Sequence, residues 1–285
     1  MTIGTNYSFS GKFEFPRLLI GTLIGIAVAI GLGALYGFLS DLNPIIYLNI
    51  LIIAVIAACI AGSIKIVSEF GKNRNVTVNI IIGLLFGIVA WYSGWCFYLA
   101  KYFGINFFSA LFQPVSSIDF IILFSKFQSI SIGRFGRSSG SLQLSGIVLQ
   151  LFYLVEFAIF LIPVFIVKKP SYYNEELNRF YKEDQRFAIV TDEFLNKFNE
   201  ALPGQYKFLN ELTFYKKIKD LPAMGGAPAI ELEFNHLDGV NDHGILTLKK
   251  GTVKIDKKNV DLQKTKVLVK DVYIDQETLA ALLNS

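Results

Sequence analysis

One carboxylate stands out as a group that could do chemistry, because it lies inside a long apolar stretch. Glu156 is the only charged residue between positions 146 and 167. A carboxylate in the middle of a bilayer costs at least about 2.5 kcal/mol, so we expect it to face other helices rather than lipid. The position of Glu156 predicts one of two roles. The residue is either a site for a proton or cation, or the partner in an interhelical hydrogen bond that fixes the packing. The third apolar stretch offers four side chains that could assist it: Asn79, Tyr92, Trp95 and Tyr98.

The two histidines of the chain lie together in the segment 236–243, HLDGVNDH. Imidazole and carboxylate groups suit zinc or manganese, and the end of a hairpin would gather His236, Asp238, Asp242 and His243. Asp-Gly and Asn-Asp pairs are also what a turn between two strands requires. The segment therefore predicts either a metal site or a hairpin turn, and its spacing matches no standard zinc motif.

Other signals for chemistry are weaker. The loop at 222–228, PAMGGAP, could admit a phosphate, but no Lys-Ser/Thr follows it, which favours a plain connection. Arg134 and Arg137, with serines at 138, 139 and 141, suit either lipid phosphates, an acidic partner or a solvated loop. No nucleophile elbow, His-Glu-x-x-His motif or Ser-His-Asp set is present. We therefore predict no catalytic residue and no cofactor, which favours a protein that is not an enzyme.

The elements that must position these residues are long and apolar. The chain is 53% hydrophobic with a mean hydropathy of +0.47. Four stretches are long enough to cross a hydrocarbon layer of about 30 Å, at about 18–39, 45–64, 76–100 and 146–167. They predict an all-α membrane bundle of four helices within a first domain, 1–169.

The connection at 105–135 is also apolar, but it is broken by Pro114 and carries Asp119 and Lys126. It predicts an interfacial or re-entrant segment on the outer side of the membrane. If it crossed the bilayer instead, the remainder of the chain would lie on the opposite side.

Small residues recur at every fourth position of the first stretch: Gly21, Gly25, Ala29, Gly33 and Gly37. On a helix they form one stripe, where a neighbouring backbone can approach closely. The third stretch begins a similar stripe with Gly83 and Gly87, and the second has one of its own. Three such stripes exceed what one bundle needs, which predicts self-association.

Charge indicates how the chain is oriented. Residues 1–169 carry a net charge of +6 and residues 170–285 one of −2, so the cations flank apolar stretches and do not indicate nucleic-acid binding. Four cations would lie on the outer side: Lys101, Lys126, Arg134 and Arg137. Seven would lie on the inner side: Lys12, Arg17, Lys65, Lys72, Arg74, Lys168 and Lys169. This bias predicts that both termini are cytoplasmic.

Residues 170–285 have the composition of a small soluble α+β domain, which this orientation makes cytoplasmic. We predict helices at 174–188 and 191–202, capped by Asn174 and Thr191. Apolar–polar alternation predicts antiparallel strands at 230–234, 244–249, 252–255 and 266–274. Asp275 should cap a terminal helix at 276–283.

Over residues 15–167 the chain resembles a family of uncharacterised bacterial multi-pass inner-membrane proteins. The shared motifs are Asn43-Pro44 with Tyr47-Leu48-Asn49, Gly71-Lys72-Asn73-Arg74-Asn75, Trp91-Tyr92-Ser93-Gly94-Trp95, Pro114, Ser131-Ile132-Gly133-Arg134 and Leu154-Val155-Glu156. The resemblance implies a bacterial cytoplasmic membrane and no established activity. Some relatives follow the last span with paired cysteines suited to zinc, which residues 172–177 here lack.

Together these features predict a multi-pass protein, in contact with the lipid bilayer, that anchors a cytoplasmic domain for assembly with a protein partner or with its own copies. One alternative is a small transporter or channel-like unit that uses Glu156. The other is a tail domain that binds a metal or small ligand.

Overall fold

The computed structural model describes residues 2–42, 46–127, 129–132, 142–222, 225–256 and 259–283. It divides into two compact units, one of Ser10–Ser171 and one that joins Met1–Phe9 to Tyr172–Ser285. The predicted first domain, 1–169, includes the first nine residues. They belong to the second unit because the backbone amides of Gly4 and Tyr7 donate to Tyr273 and Asp271, at 2.9 and 2.6 Å.

The first unit contains four long helices: α1 (Phe15–Leu42), α2 (Ile46–Phe70), α3 (Val76–Phe103) and α6 (Ile147–Ile166). Each includes a segment long and apolar enough to cross a membrane, which confirms the four predicted helices. Local capping sets where α3 begins and ends. The side chain of Asn75 accepts from the amides of Thr77 and Val78, and Gly104 ends the helix with a φ of 66°.

Helices α1 and α3 run in one direction, and α2 and α6 run in the other. The amide of Glu14, just before α1, donates to the carbonyl of Gly71, just after α2, at 2.9 Å. The side chain of Asn79, near the start of α3, donates to the carbonyl of Val167 after α6. Residues 10–14 and 167–171 therefore leave the bundle at the same end, which we call the exit end. We call the opposite end, where α1 and α3 finish, the Asp41 end.

The glycine stripe of α1 lies against α3 and the end of α2. A methyl group built on Gly25 would overlap the ring of Phe86, and one built on Gly33 would overlap the carbonyl oxygen of Ala90. At Gly37 it would lie 2.9 Å from the carbonyl oxygen of Gly94. Farther along the stripe, Gly21 faces α2 and Ala29 is buried. Only residues with almost no side chain permit this approach.

The stripe of α3 receives α6 in the same way. A methyl group on Gly83 would lie 3.1 Å from Val164 Cγ2, and one on Gly87 would lie 2.6 Å from the carbonyl oxygen of Phe160. The small residues of these two stripes are thus covered within the chain. On α2, Gly62 is open, since a methyl group there would meet nothing within 4 Å.

The connection between α3 and α6 contains α4 (Phe107–Phe112), α5 (Pro114–Phe127) and a hairpin of β1 (Ser129–Ile132) with β2 (Leu142–Ser145). This hairpin is not predicted by the sequence. Arg134, Arg137 and the three serines lie outside the described residues. Whether 105–135 is interfacial or re-entrant stays a prediction, since the structure contains no bilayer.

The second unit contains a four-stranded antiparallel sheet in the order β5-β6-β7-β8. Its strands are β5 (Lys182–Ile189), β6 (Pro228–Leu237), β7 (Val240–Asp256) and β8 (Asn259–Ile274). One sheet face forms the main core with α7 (Asp192–Glu200) and α8 (Gln276–Leu283), through residues such as Leu195, Leu232, Leu248 and Leu279. Two short strands, β3 (Tyr173–Asn174) and β4 (Arg179–Phe180), pair with each other before β5.

The predicted helix at 174–188 is wrong, because this segment forms β3, β4 and β5. Lys182–Ile189 pairs with β6 along its whole length, and that ladder outweighs the local helix preference. Asn174 is not a helix cap; it is fully buried and its side chain accepts from the amide of Leu177 at 2.9 Å. The helix after Thr191 is confirmed, and the Thr191 side chain caps it at 3.1 Å.

The remaining secondary-structure predictions for residues 170–285 agree with the structure. The four predicted strands fall within β6, β7 and β8, and β7 joins two of them into one strand. The terminal helix α8 follows Asp275, whose carboxylate accepts from the amide of Thr278 at 2.9 Å.

The contact between α1 and α3 can be tested with Gly33→Ala, using Gly31→Ala as the matched control. A methyl group on Gly31 meets nothing within 4 Å, whereas one on Gly33 overlaps Ala90. Both substitutions raise helix propensity equally, so their difference isolates the packing. We expect Gly33→Ala to be less stable than Gly31→Ala by about 1–3 kcal/mol, measured by unfolding the protein from mild detergent with dodecyl sulfate. Equal stabilities would contradict the packing described above.

Candidate functional site

The first candidate site is built around Glu156, at the tenth position of α6. Its side chain is turned inward, and only 7% of the residue is exposed. The hydroxyl of Tyr36, on α1, lies near its carboxyl group. The hydroxyls of Tyr98 on α3 and Tyr153 on α6 lie within electrostatic range of the carboxyl group. Three helices therefore converge on this one group.

Aromatic rings enclose the site on the α3 side. The ring of Trp95 packs edge-on against Tyr153 with centroids 4.7 Å apart, and Trp91 packs in the same way on Phe157 at 4.9 Å. The Nε1 atoms of both tryptophans are buried without a hydrogen-bond partner among the described residues. A buried donor in that state costs about 1–3 kcal/mol.

Ser40 adds a third polar atom of this kind. Its Oγ lies beside the hydroxyls of Tyr36 and Tyr98. It reaches complete hydrogen-bond geometry with neither, so Oγ is buried without a partner in the part of the chain that is described.

The site continues to the Asp41 end of the bundle. The ammonium of Lys101 and the hydroxyl of Tyr102 both bind the carboxylate of Asp41. Tyr98 lies within electrostatic range of Asp41 as well as of Glu156. The ring of Tyr98 stacks on that of Tyr102 at 6.2 Å, and Tyr102 is 59% exposed.

The structure separates the four residues proposed as helpers of Glu156. Trp95 and Tyr98 join the site. Tyr92 donates instead to the carbonyl of Ala110, and Asn79 lies at the exit end, bonded to Val167.

Three members of the site were not identified from the sequence: Tyr36, Ser40 and Tyr153. Tyr153 had a usable signal, because residues three apart on a helix share a face. Tyr36 and Ser40 lie on the same face as the glycine stripe of α1, but the sequence does not indicate which helix side chains they meet.

The arrangement suits a proton better than a metal ion. A hard cation takes about six or more oxygen ligands, whereas this site has one carboxyl group, a few hydroxyls and indole N–H groups that repel cations. No group of three or more His, Cys, Asp or Glu side chains able to hold a metal occurs among the described residues.

The two histidines of the tail lie on opposite faces of the sheet. His236 stacks on Phe234 of the main core, and its Nε2 lies 3.3 Å from a carboxylate oxygen of Asp184. His243 lies among aromatic rings on the other face, and its Nε2 is 2.9 Å from the hydroxyl of Tyr181. Alternation of side chains along the strands directs the two imidazoles apart.

The turn interpretation of segment 236–243 agrees with this geometry. Leu237 pairs with Val240, so Asp238 and Gly239 form the hairpin turn between β6 and β7, and Gly239 has a φ of 79°. Asp238 is exposed, and the side chain of Asp242 lies outside the described residues. In the loop at 222–228, the amide of Gly226 donates to the carbonyl of Val253 at 2.9 Å and is therefore engaged.

The separation of the histidines predicts the result of a metal-binding measurement. The wild-type chain and the double variant His236→Ala, His243→Ala should bind the same, substoichiometric amount of zinc after equilibration and desalting, as measured by elemental mass spectrometry. The reason is that no single ion can reach both imidazoles. One zinc per wild-type chain that is lost in the double variant would contradict this.

Comparison of the chain with protein-family models, with curated proteins and with solved structures finds no match.

Proposed function

We propose that this chain is a membrane anchor that holds its α+β unit at the cytoplasmic face, for assembly with a protein partner or a second copy, and that it is not an enzyme. The observation that carries the proposal is that residues 10–14 and 167–171 leave the bundle at the same end. Four apolar helices that span a bilayer return the chain to its starting side.

The charges at the exit end support the orientation. Lys12, Arg17, Lys72, Arg74 and Lys168 all lie next to the helix termini that form this end. Cations gather on the cytoplasmic side of membrane helices. At the Asp41 end, the described cation Lys101 is engaged with Asp41.

A network of contacts fixes the polypeptide where it enters the bundle. The carboxylate of Glu14 binds Lys72 at 2.8 Å and Arg17 at 3.1 Å. The hydrogen bond from Lys72 holds the pKa of Glu14 below its ordinary value, so this carboxylate stays ionised at neutral pH. The amide of Arg74 donates to the carbonyl of Lys12 at 2.8 Å, and Ser171 donates to Glu69 at 2.7 Å. Both chain segments are thus held at defined places, as an anchor requires.

The α+β unit has the properties of a separate module. It has its own sheet and a core of fully buried side chains such as Leu209, Ile230 and Leu282. No known catalytic constellation occurs in the sequence, which favours a binding role over a reaction.

Sidedness can be tested with two single-cysteine reporters, Lys219→Cys in the α+β unit and Gln113→Cys in the segment between α3 and α6. Both positions are exposed. We expect a membrane-impermeant maleimide to label Lys219→Cys in inverted vesicles only and Gln113→Cys in right-side-out vesicles only. The wild-type chain gives the background from Cys59 and Cys96. Labelling of Lys219→Cys from the outside would overturn the proposal.

Assembly is tested by the mass of the full chain purified in mild detergent and measured by native mass spectrometry. We expect a species heavier than one 31.9 kDa chain, either a multiple of it or a complex with a defined second protein. The assembly role would be contradicted if the protein, at its concentration in the membrane, had the mass of a single chain with only lipid bound.

A further inference from the structure

The two halves of the bundle differ in polarity on either side of Glu156. Toward the exit end, the next inward-facing residues of α6 are Phe160 and Val164, which are 0% and 4% exposed. Phe86 of α3 and Ile60 and Ile64 of α2 belong to the same apolar layers and are equally buried. From Glu156 to Val164 this seal covers about 12 Å of helix.

Toward the Asp41 end, hydroxyl-bearing side chains lie among buried apolar residues such as Leu99 and Leu149. Tyr36 and Ser40 are four residues apart on α1 and so lie on one face. The hydroxyl of Tyr98, on α3, lies beside Ser40 and within electrostatic range of Glu156 and Asp41. These three hydroxyl groups connect the middle of the bundle to a carboxylate whose partners, Lys101 and Tyr102, reach the surface.

We propose that Glu156 is a proton-binding site that exchanges protons with the solvent at the Asp41 end only, through the hydroxyls of Tyr36, Ser40 and Tyr98. Each hydroxyl accepts a proton on its oxygen and releases its own, so one proton arrives at the Glu156 carboxylate and converts it to the neutral acid. No other bond changes. The path can open and close at Ser40, because its Oγ lies between the two tyrosine hydroxyls and has no hydrogen-bond partner among the described residues.

The charged and titratable groups around Glu156 come from few elements. Helix α1 contributes Tyr36 and, farther away, Asp41. The carboxylate of Asp41 binds Lys101 of α3. Tyr98 comes from α3 and Tyr153 from α6 itself. The buried residues of α2 in this layer are apolar, such as Ile53 and Ile56, and Asp119 of α5 is exposed. Among the described residues, the groups that face Glu156 are thus hydroxyl-bearing or apolar, and none is a cation.

Access from one side distinguishes this site from a channel. The apolar layers stop proton movement toward the exit end, so the bundle senses the acidity on one side of the membrane. This inference is independent of the anchor role, because a helix bundle can anchor a domain with Glu156 in either state.

The experiment uses the full chain in proteoliposomes with the inner and outer pH set separately. Dicyclohexylcarbodiimide reacts with protonated carboxyl groups inside bilayers, and mass spectrometry of the peptide that contains residue 156 measures the modified fraction. The Gln113→Cys reporter establishes which side of each preparation carries the Asp41 end. Glu156→Gln provides the unreactive control.

We expect the modified fraction to fall when the pH is raised at the Asp41 end and to stay constant when it is raised at the exit end. Modification that follows the pH at the exit end, follows both sides equally or ignores both would overturn the inference. None of these outcomes alters the labelling of Lys219→Cys, so failure here is separable from failure of the anchor role.

The route is tested by removing hydroxyls. After a pH step at the Asp41 end, the modified fraction of residue 156 should change more slowly in Ser40→Ala and in the double variant Tyr36→Phe, Tyr98→Phe than in the wild type. Tyr92→Phe is the matched control, because its hydroxyl bonds to Ala110 in the same helix-end region but does not belong to the route. Equal response rates in all these variants and the wild type would exclude the hydroxyl route, and the sidedness measurement needs only the wild-type chain.

Discussion

The close approach of α1 and α3 is the constraint on which the rest of the bundle depends. Lipid gives helices no hydrophobic reason to associate, so their contact must come from van der Waals packing and hydrogen bonds. The absence of side chains at Gly25, Gly33 and Gly37 lets α1 meet α3 backbone to backbone. The hydroxyl of Ser93 can then donate to the carbonyl of Ile30 at 2.7 Å, which locks the two helices in register.

That register brings the polar residues of the two helices to one level. Tyr36 and Ser40 lie on the same α1 face as the glycines, and Tyr98 follows Gly94 by one turn. Helix α6 packs into the second stripe of α3 at Gly83 and Gly87, which sets the depth of Glu156. A shift of α6 by one turn would move the carboxyl group into the apolar layers formed with Phe86 and Ile60. The small residues therefore position the site although none of them belongs to it.

The second unit follows a different constraint, the ladder of its four-stranded sheet. Strand β6 lies in the interior of that sheet and carries the main core on one face and a smaller aromatic cluster on the other. Its alternation separates His236 from His243, while the hairpin turn joins their strands. Residues close in sequence thus lie on opposite faces of the sheet, because successive side chains along a strand point to opposite faces.

Sequence alone determined the four membrane-length helices, since only an uninterrupted apolar stretch satisfies a bilayer, and it identified Glu156 as a buried acid by its cost in lipid. It also identified the tail strands whose alternation is clear and the caps at Thr191 and Asp275. Only the tertiary structure decided that residues 174–188 form strands, because pairing with β6 outweighed a helical preference that is weak in isolation. The surroundings of Glu156 were decided in the same way: Tyr36 is more than a hundred residues away along the chain, and only helix packing brings it close to the carboxyl group.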